Sequence, residues 1–481
     1  RYTGQKTLNI VLAEDSETLD EVVVVGYGSQ KKGEITSSVT SVKASDFNKA
    51  PVVNPMQLVE GRVAGLTVSR GSTDPNGEVK VQMRGASSLK GSNEPLVIID
   101  GMPGNMTSLN AIAPEDIEAI DVLKDGSAAA IYGTRGSNGV ILITTKKGRD
   151  GKINVDFSAS VGFQTLKDPK MAGAEEYENV FNARYTNDGR AVTWRSPKTG
   201  YTDAEGTDWW NTVINKTALV QNYQLGINGG NEKYTFAASV GYFRNNSQYD
   251  VGYWDKLTIN LNTEFNFSKY VQAGLQIAPR TESWEDTPNQ FGSAMGMDPT
   301  TPVFKHPDNW TDNPYNRYMR SYNNQVWNPA ATLDRPVGHS RNYGVLLNPY
   351  LQIKPVEGLV LRTQFGVNAS VVRTDSYAPI FSLDALEQST TSSVTRRMYE
   401  NVDWNWTNTA NYSISIAEKH NINAMVGFTA ERFGYWNVEA RREGIPNDEE
   451  TLREVNAGTG EQYGYGDTSY YTLVSWLGRV M

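Results

Sequence analysis

Residue types that carry catalysis are sparse in this sequence. The chain of 481 residues has no cysteine, which excludes disulfides, thiolate metal sites and cysteine nucleophiles. Its three histidines, His306, His339 and His420, are scattered without metal-ligand spacing, so loop or surface roles are favoured over a metal site. The carboxylate pairs at 175–176 and 449–450 are interpreted as solvated charge in loops. No metal site is therefore predicted.

Enzyme and nucleotide motifs are also missing. The patterns HExxH, GxSxG and the P-loop do not occur. The glycines of Gly26-Tyr27-Gly28 lack the third glycine and the strand–turn–helix unit of a dinucleotide site. GTRGSNG at 133–139 is interpreted as a turn in which glycines supply positive φ. The chain is predicted to be neither an enzyme nor a cofactor-binding protein.

The most distinctive segment is LDEVVVVGYG at 19–28, which contains four consecutive valines, Val22 to Val25. Valine favours an extended backbone, whose free N–H and C=O groups can join the edge of another sheet. Acidic residues precede the run, polar residues follow it, and the sequence offers no evident partner strand. We interpret the run as a strand presented to another protein. The alternative is a strand packed within this chain.

Composition narrows the possible classes. The formal net charge of −9 argues against a nucleic-acid partner. The content of 25 Tyr, 11 Trp and 43 Gly indicates a β-rich protein with many turns. No apolar run approaches the ~20 residues of a membrane-spanning helix. A transmembrane β-barrel remains compatible, because its strands alternate in hydropathy.

Residues 36–148 are predicted to form a compact α+β domain. The spacing of apolar residues in PMQLVEGRVAG (55–65) predicts a helix that ends at Gly65. Short strands are predicted between glycine-rich turns, and the last three are nearly continuous apolar runs, as in strands covered on both faces. These strands are 66–70, 79–85, 95–101, 117–124 and 140–146.

From Ile153 onward the pattern changes to strict alternation of apolar and polar residues. INVDFSASVGF begins a series of ten such segments, and the connections between them are alternately short and long. This asymmetry is typical of an outer-membrane barrel and is favoured over a soluble sandwich. A lumen that holds a plug needs about 22 strands. Residues 149–481 are therefore expected to be the N-terminal part of a transmembrane β-barrel, within a longer chain.

Several segments resemble the SusC/RagA branch of TonB-dependent outer-membrane transporters. LDEVVVVGYG resembles the TonB box, and residues 19–35 then form the box and linker. LVEGRVAGLTVSR, VQMRGASSL, PLVIIDGMP and especially IEAIDVLKDGSAAAIYGTRGSNGVILITTKKG (117–148) resemble the family's plug motifs. Residues 1–18 resemble the end of a carboxypeptidase-regulatory-like β-domain. Beyond about residue 165 the likeness depends on the barrel pattern.

The resemblance implies a function. TonB, using the proton-motive force, would pull the box and open the plug, without a cofactor. A SusD-like lipoprotein would cover the barrel, and SusC–SusD pairs would form dimers. The barrel would lie in outer-membrane lipid with its N-terminus in the periplasm. Most members import oligosaccharides and some import peptides; a surface binding protein anchored by its barrel is the further alternative. The implied TonB-binding residues are Asp20, Glu21, Val22, Val23, Val24, Val25, Gly26 and Tyr27.

Two further groups of candidate residues concern the substrate and the gate. Substrate contacts are expected from plug turns, at Ser72, Thr73, Asp74, Ser88, Lys90, Met102 and Asn105. Loop aromatics that could stack on sugar rings are Trp209, Trp210, Trp284 and Trp310, with loop packing, a partner interface or an interfacial girdle as the alternatives. Gating is expected from Arg84, Asp100 and Arg135, by pairing within the plug or to the lumen wall, with a static ion pair as the alternative.

Overall fold

A computed structural model describes most of the chain. The described residues are 22–25, 28–31, 39–48, 52, 54–70, 77, 79–85, 88–124, 130–191, 206–321, 323–417, 420–446 and 449–481. The expected β-domain remnant at 1–18 lies outside them, as does most of the linker.

The valine run forms strand β1 (Val22–Val25), which pairs antiparallel with β2 (Gly28–Lys31). This corrects the expectation that the run has no partner within the chain. The two strands form a sheet of their own, separate from every other described strand. A two-stranded ribbon is at best marginally stable in water. The second edge of β1 is not paired with any described strand, so its backbone can still add to a partner sheet.

The following domain, here called the plug (residues 36–148), has a five-stranded mixed sheet and a separate two-stranded ribbon. The sheet order is β3-β8-β9-β6-β7, in which β6 and β9 are parallel and the other pairs antiparallel. The ribbon consists of β4 and β5. The strands are β3 (Val39–Lys43), β4 (Leu66–Arg70), β5 (Val79–Met83), β6 (Leu96–Ile99), β7 (Met102–Gly104), β8 (Ile117–Leu123) and β9 (Val140–Thr145). The predicted plug strands are confirmed.

The plug helices are short 3-10 turns. They are Ala44–Asp46, Pro55–Val59, Met106–Ala111, Pro114–Asp116 and Ala130–Asn138. The predicted helix over 55–65 is therefore too long. It ends at Val59, because Gly61 and Gly65 take φ angles of 73° and 80° that no helix accommodates. Met56, Val59 and Leu109 are fully buried in the plug core against the central strands.

Ten long strands form one antiparallel sheet, here called the wall. Each wall strand pairs with the wall strand that follows it along the chain. A small hairpin, β17–β18, lies between β16 and β19 in sequence and is not part of this sheet. The wall strands are β10 (Gly151–Gln164), β11 (Ala218–Asn231), β12 (Tyr234–Asn246), β13 (Tyr253–Asn266), β14 (Val271–Asp286), β15 (Gly338–Ile353), β16 (Leu359–Ala378), β19 (Ser393–Ile416), β20 (His420–Glu443) and β21 (Gln462–Val480). The hairpin strands are β17 (Phe381–Ser382) and β18 (Gln388–Ser389). Together with the plug, this arrangement confirms the predicted fold class.

Burial along the wall strands is the reverse of that in a soluble sheet. In β13, Leu257, Ile259 and Leu261 are exposed, whereas the intervening Thr258 and Asn260 are buried. The apolar side chains therefore line the outer face and the polar ones face the plug. Apolar-out, polar-in alternation is typical of a sheet whose outer face contacts lipid.

Connections at one end of the wall are tight and those at the other are long. The tight end has the turns 232–233, 267–270, 354–358 and 417–419. The long-loop end carries 165–217, 287–337, 379–392 and 444–461, with 247–252 as its short member. These loops contain helices α1 (Ala174–Asn187), α2 (Trp209–Val213), α3 (Phe291–Gly296) and α4 (Pro329–Leu333), and short 3-10 turns at Pro307–Asn309, Pro314–Arg317, Glu450–Leu452 and Val455–Ala457. Among the described helices, none combines the length and apolar character needed to cross a membrane.

Candidate functional site

The candidate site is the interface between the plug and the inner face of the wall. Alternation turns one side chain in two toward the plug, and amides are prominent among those that are buried. Examples are Asn222, Gln224, Asn262, Gln276, Asn348 and Gln364. A carboxamide both donates and accepts hydrogen bonds, so this surface can satisfy polar groups of the plug.

One contact holds the Pro114–Asp116 turn of the plug against β11 and β12. The Asp116 carboxylate accepts hydrogen bonds from Gln224 Nε2 at 2.9 Å and from Ser239 Oγ at 2.7 Å. The neighbouring Glu115 carboxylate accepts from the Asn222 amide. Burial raises the pKa of the Asp116 carboxyl to about 6, against the opposing effect of the Ser239 hydrogen bond.

A second contact is an ion pair between Arg135 of the plug and Glu431 of β20. Arg135 Nη1 lies 2.6 Å from Glu431 Oε2, and Arg135 Nη2 donates to Oε1 at 2.7 Å. The Glu431 side chain is only 2% exposed. The Arg135 guanidinium also lies 5.6 Å from the centre of the Phe433 ring. Arg135 was predicted to pair either within the plug or with the lumen wall, and in the structure it pairs with the wall.

Asp100 lies in the tight turn between β6 and β7, and its side chain forms hydrogen bonds within the plug. Its carboxylate accepts from the Thr145 backbone N–H at 3.0 Å and from Thr145 Oγ1 at 2.6 Å. Its carbonyl oxygen accepts from Gln364 Nε2 at 2.9 Å and from Asn348 Nδ2 at 3.2 Å on the wall. Asp100 therefore anchors the turn from both sides.

Arg84 is exposed and follows β5 with a φ of 59°. Its backbone N–H donates to the Gly65 carbonyl at 2.9 Å, which closes the β4–β5 ribbon. Arg135 pairs with Glu431, and the Asp100 carboxylate binds Thr145. The three predicted gating residues therefore occupy separate contacts, and the gating role of each stays a prediction.

A further plug–wall contact involves Lys147, which sequence reasoning did not single out. Lys147 Nζ lies 2.9 Å from Glu264 Oε1 of β13, and the same carboxylate accepts from Tyr350 Oη at 2.6 Å. Beside this contact, a cavity of about 550 Å³ separates the plug from the wall, and Lys147, Asn348 and Arg362 contribute to its lining. The plug is thus held by polar contacts and by apolar packing on Ala278 and Leu346 of the wall, with a cavity beside them.

The predicted substrate residues of the plug turns have different environments. Ser72, Thr73 and Asp74 lie outside the described residues. Ser88 and Lys90 belong to an exposed turn, in which Ser88 Oγ accepts from Gly91 N–H at 2.8 Å.

Asn105 is exposed and caps the 106–111 turn through a 3.0 Å bond from the Ser108 N–H. The prediction that Met102 contacts the substrate is wrong. Met102 is buried in the plug core and faces Gly366 of β16, so it is not available to a ligand.

The predicted aromatic contacts separate into buried and exposed residues. Trp209 and Trp210 are only 3% and 8% exposed. Trp209 Nε1 donates to the Asp298 carbonyl at 3.0 Å, and the Trp210 ring stacks on Phe291. The prediction that these two tryptophans stack on a ligand is therefore wrong. They pack within the loops, and their ring faces are already covered.

Trp284 and Trp310 are more accessible. Trp284 is partly buried against the Trp254 cluster and donates from Nε1 to Asp286 Oδ1 at 3.0 Å. Trp310 lies in the 287–337 loop with 48% of its surface exposed, and its Nε1 donates to the Lys305 carbonyl at 3.1 Å. Its ring remains available for a ligand or a partner.

The long loops also contain a buried carboxyl group at Glu387, beside the β17–β18 hairpin. The side chain is 0% exposed, and the Leu383 N–H donates to the Glu387 carbonyl at 2.9 Å. Burial raises the pKa of the Glu387 carboxyl to about 7, although the Asn328 backbone N–H and the Arg335 and Arg320 charges oppose the shift. Sequence reasoning gave no signal for this group.

The predicted TonB-binding residues are only partly described. The valines form β1, whereas Asp20, Glu21, Gly26 and Tyr27 lie outside the described residues. Within the described chain, no cluster of three or more histidine or carboxylate side chains is arranged to hold a metal ion.

Comparison with known proteins finds relatives that share these features. The TonB-dependent Receptor Plug Domain matches residues 31–140, which overlap most of the predicted plug. The TonB-dependent receptor P26 of Formosa agariphila is 29% identical over 99% of this chain and 48% of its own length. The TonB-dependent receptor SusC of Bacteroides thetaiotaomicron is 33% identical over 63% of this chain and 30% of its own length.

A solved structure of the RagAB peptide importer in the open-open state covers 96% of this chain and 54% of its own, with a TM-score of 0.83 and 25% identity. The chain spans about half the length of P26 and of this RagAB chain. With its plug seated on the polar face of the wall, the chain is similar to TonB-dependent receptors. Within that class it is SusC/RagA-like. The matched relatives are receptors and not enzymes, which confirms the prediction that the chain is not an enzyme.

Proposed function

We propose that the protein imports oligosaccharides across the outer membrane by a TonB-dependent mechanism. The observation that carries the proposal is the seating of the plug on the inner face of the wall through largely polar contacts, with a cavity of about 550 Å³ beside them. Such a plug closes the lumen but can be displaced without unfolding the wall.

Energy would come from the proton-motive force through TonB, which would bind the box at 20–27. The edge of β1 that pairs with no described strand suits addition to a sheet of TonB, because main-chain hydrogen bonds then supply the binding energy. The N-terminus would lie in the periplasm, and the long loops would face outward under a SusD-like lipoprotein. Pairing of two such complexes is a further proposal that follows from the family resemblance.

The preference for oligosaccharides is supported by the amide-rich inner face, since carboxamides match sugar hydroxyls as donors and acceptors. Peptides are the second candidate, because backbone amides suit the same surface and the RagAB structure is that of a peptide importer. A barrel-anchored surface binding protein would need neither a box nor a displaceable plug.

Insertion of proline at Val23 tests the proposal. Proline removes a backbone donor from the extended run, so energy-dependent uptake should be abolished while cargo binding at the cell surface is retained. Insertion of alanine at the same place is the control for the change in length. Uptake that persists in the proline variant would contradict the TonB-dependent mechanism.

Parallel uptake assays with labelled oligosaccharides and labelled peptides identify the cargo. Oligosaccharide uptake that stops on proline insertion supports the first candidate, and peptide uptake with the same sensitivity supports the second. If cargo binds but neither oligosaccharides nor peptides are taken up, the remaining explanation is a barrel-anchored surface binding protein.

A further inference from the structure

The contact between the Pro114–Asp116 turn and the wall encloses three buried polar atoms without partners. Lys256 Nζ of β13, Gln224 Oε1 of β11 and Glu115 Oε2 of the plug have no hydrogen-bond partner among the described residues. Leaving a buried donor or acceptor unpaired costs about 1–3 kcal/mol each, and more for a charged group. Three such atoms in one contact therefore indicate a shared partner.

All three residues line one small cavity. Its volume is about 10 Å³, which is roughly the smallest space that one water molecule occupies. The Lys256 side chain is 4% exposed and Gln224 is 6% exposed, so bulk solvent does not reach their polar atoms. Thr258 and the backbone at Gly241 complete the wall side of the cavity.

The donor and acceptor pattern selects the occupant. The Lys256 ammonium group only donates, whereas Glu115 Oε2 and Gln224 Oε1 only accept. A water molecule would accept one hydrogen bond from Lys256 and donate two, one to each oxygen. A metal cation would be repelled by the ammonium group, and an anion by the Glu115 carboxylate.

Charges around the cavity are nearly balanced. The carboxylates of Glu282, Glu115 and Asp116 act electrostatically on Lys256, together with the Arg280 guanidinium. Arg280 is itself paired with Glu282, at 3.3 Å between Nε and Oε1. Lys256 of the wall and Glu115 of the plug therefore border the same space, which the water would fill.

Gly241 explains why the cavity has this shape. A Cβ at this position would overlap Gln224 Oε1 and lie 2.9 Å from Thr258 Oγ1. The absence of a side chain lets the Gln224 carboxamide fold over β12 and reach Asp116 with Nε2, at 2.9 Å, while Oε1 borders the cavity.

We propose that one buried water molecule bridges Lys256, Gln224 and Glu115, and that this water-mediated contact holds the plug to β11–β13. Lys256 is then a positioning residue for the plug turn that leads into β8. The contact is independent of the cargo and of TonB.

A crystal structure of the full-length protein, at a resolution that shows ordered waters, tests the site directly. Density for one water within hydrogen-bonding distance of the three atoms is expected. A dry cavity, or direct bonding of Lys256 Nζ to Glu115, would overturn the proposal.

Hydrogen exchange tests whether the bridge holds the plug. In Lys256→Met, the backbone amides of Ile117–Leu123 should exchange about tenfold faster, because the water-mediated bond to a charged group is lost. Lys269→Met, in the exposed 267–270 turn, should leave exchange unchanged. If Lys256→Met does not assemble, Glu115→Gln is used instead, because it keeps an acceptor for Asn222 but replaces the Oε2 acceptor by a donor, and it should have the same effect. Unaltered exchange in an assembled variant would exclude the holding role.

Discussion

Arg135 and Glu431 meet across the plug–wall boundary, and the cost of separating them depends on what remains buried. Glu431 is almost completely covered, whereas a quarter of Arg135 is exposed. Removal of the arginine would therefore leave a buried carboxylate without its cation. Removal of both charges leaves no such group, so the two changes have different consequences.

Arg135→Met is expected to loosen the plug by about 2–3 kcal/mol, because the Glu431 charge loses its partner in a covered site. Entry of a large antibiotic that normal cells exclude would measure this loosening. Arg149→Met removes a solvent-exposed pair with Glu118 and should have no effect. The double variant Arg135→Met, Glu431→Gln should recover part of the barrier. Equal leakage in the double and single variants would show that the pair itself is not the cause.

Burial of Glu387 predicts that the packing of the β17–β18 hairpin depends on pH. Its carboxyl has a folded-state pKa of about 7, above its usual value of 4.5, so the packed state binds a proton more readily than the unpacked state. Its contribution to loop packing is therefore complete below about pH 4.5 and is lost as the pH rises through 7.

Hydrogen exchange in the β17–β18 hairpin, corrected for intrinsic chemistry, should be slower at pH 6 than at pH 8. Glu387→Gln should remove this difference, because the amide stays neutral at both pH values. Glu357→Gln, at an exposed turn on the opposite end of the wall, is the matched control. A pH difference that survives in Glu387→Gln would assign the effect to another group.

At the scale of elements, β3 is the plug strand that a pull from the N-terminus reaches first. It forms an edge of the five-stranded sheet and pairs only with β8 among the described strands. The next strands, β8 and β9, have neighbours on both sides. Tension from the box would therefore separate β3 from β8 before it disturbs the centre of the plug.

A disulfide between β3 and β8 should block import. Lys43 and Ala119 are cross-strand partners, and the chain has no other cysteine to interfere with Lys43→Cys and Ala119→Cys. Uptake should stop under oxidising conditions and return when the disulfide is reduced. Thr67→Cys with Gln82→Cys links the separate β4–β5 ribbon and serves as the control. Continued uptake with the β3–β8 disulfide formed would show that β3 does not leave the sheet.

Sequence periodicity predicted the elements well because each element carries its own pattern. Alternation such as Leu257, Ile259 and Leu261 locates a wall strand without reference to any other strand. Turn and helix ends are less certain, as the early stop at Val59 shows, since two left-handed glycines outweighed the apolar spacing.

Contacts between distant residues were beyond sequence reasoning. Asp116 and Ser239 are 123 residues apart, and neither position is unusual within its own segment. Trp209 and Trp210 show the same difficulty, because a tryptophan pair in a loop has the same sequence whether it packs inward or binds a ligand. The partner of the valine run was also missed, because GSQK has little apolar character to indicate a strand.

At the scale of the whole molecule, the wall is uneven, and at β19 and β20 it is much taller than a membrane requires. Strands β19 and β20 have 24 residues each, whereas a transmembrane strand needs about 9–11. At about 3.3 Å per residue and a tilt of about 45°, such strands rise roughly 55 Å, against an apolar band of about 25 Å.

The part of these strands that exceeds the apolar band lies toward the long-loop end, because the tight turns leave no extra strand length at the opposite end. About 30 Å of rigid sheet would therefore stand clear of the hydrocarbon, enough to exceed the lipid headgroup layer. In the proposed orientation, β19 and β20 would form a stiff screen on one side of the entrance, well outside the bilayer. Cargo that approaches from that side would meet rigid sheet before it reaches the bilayer.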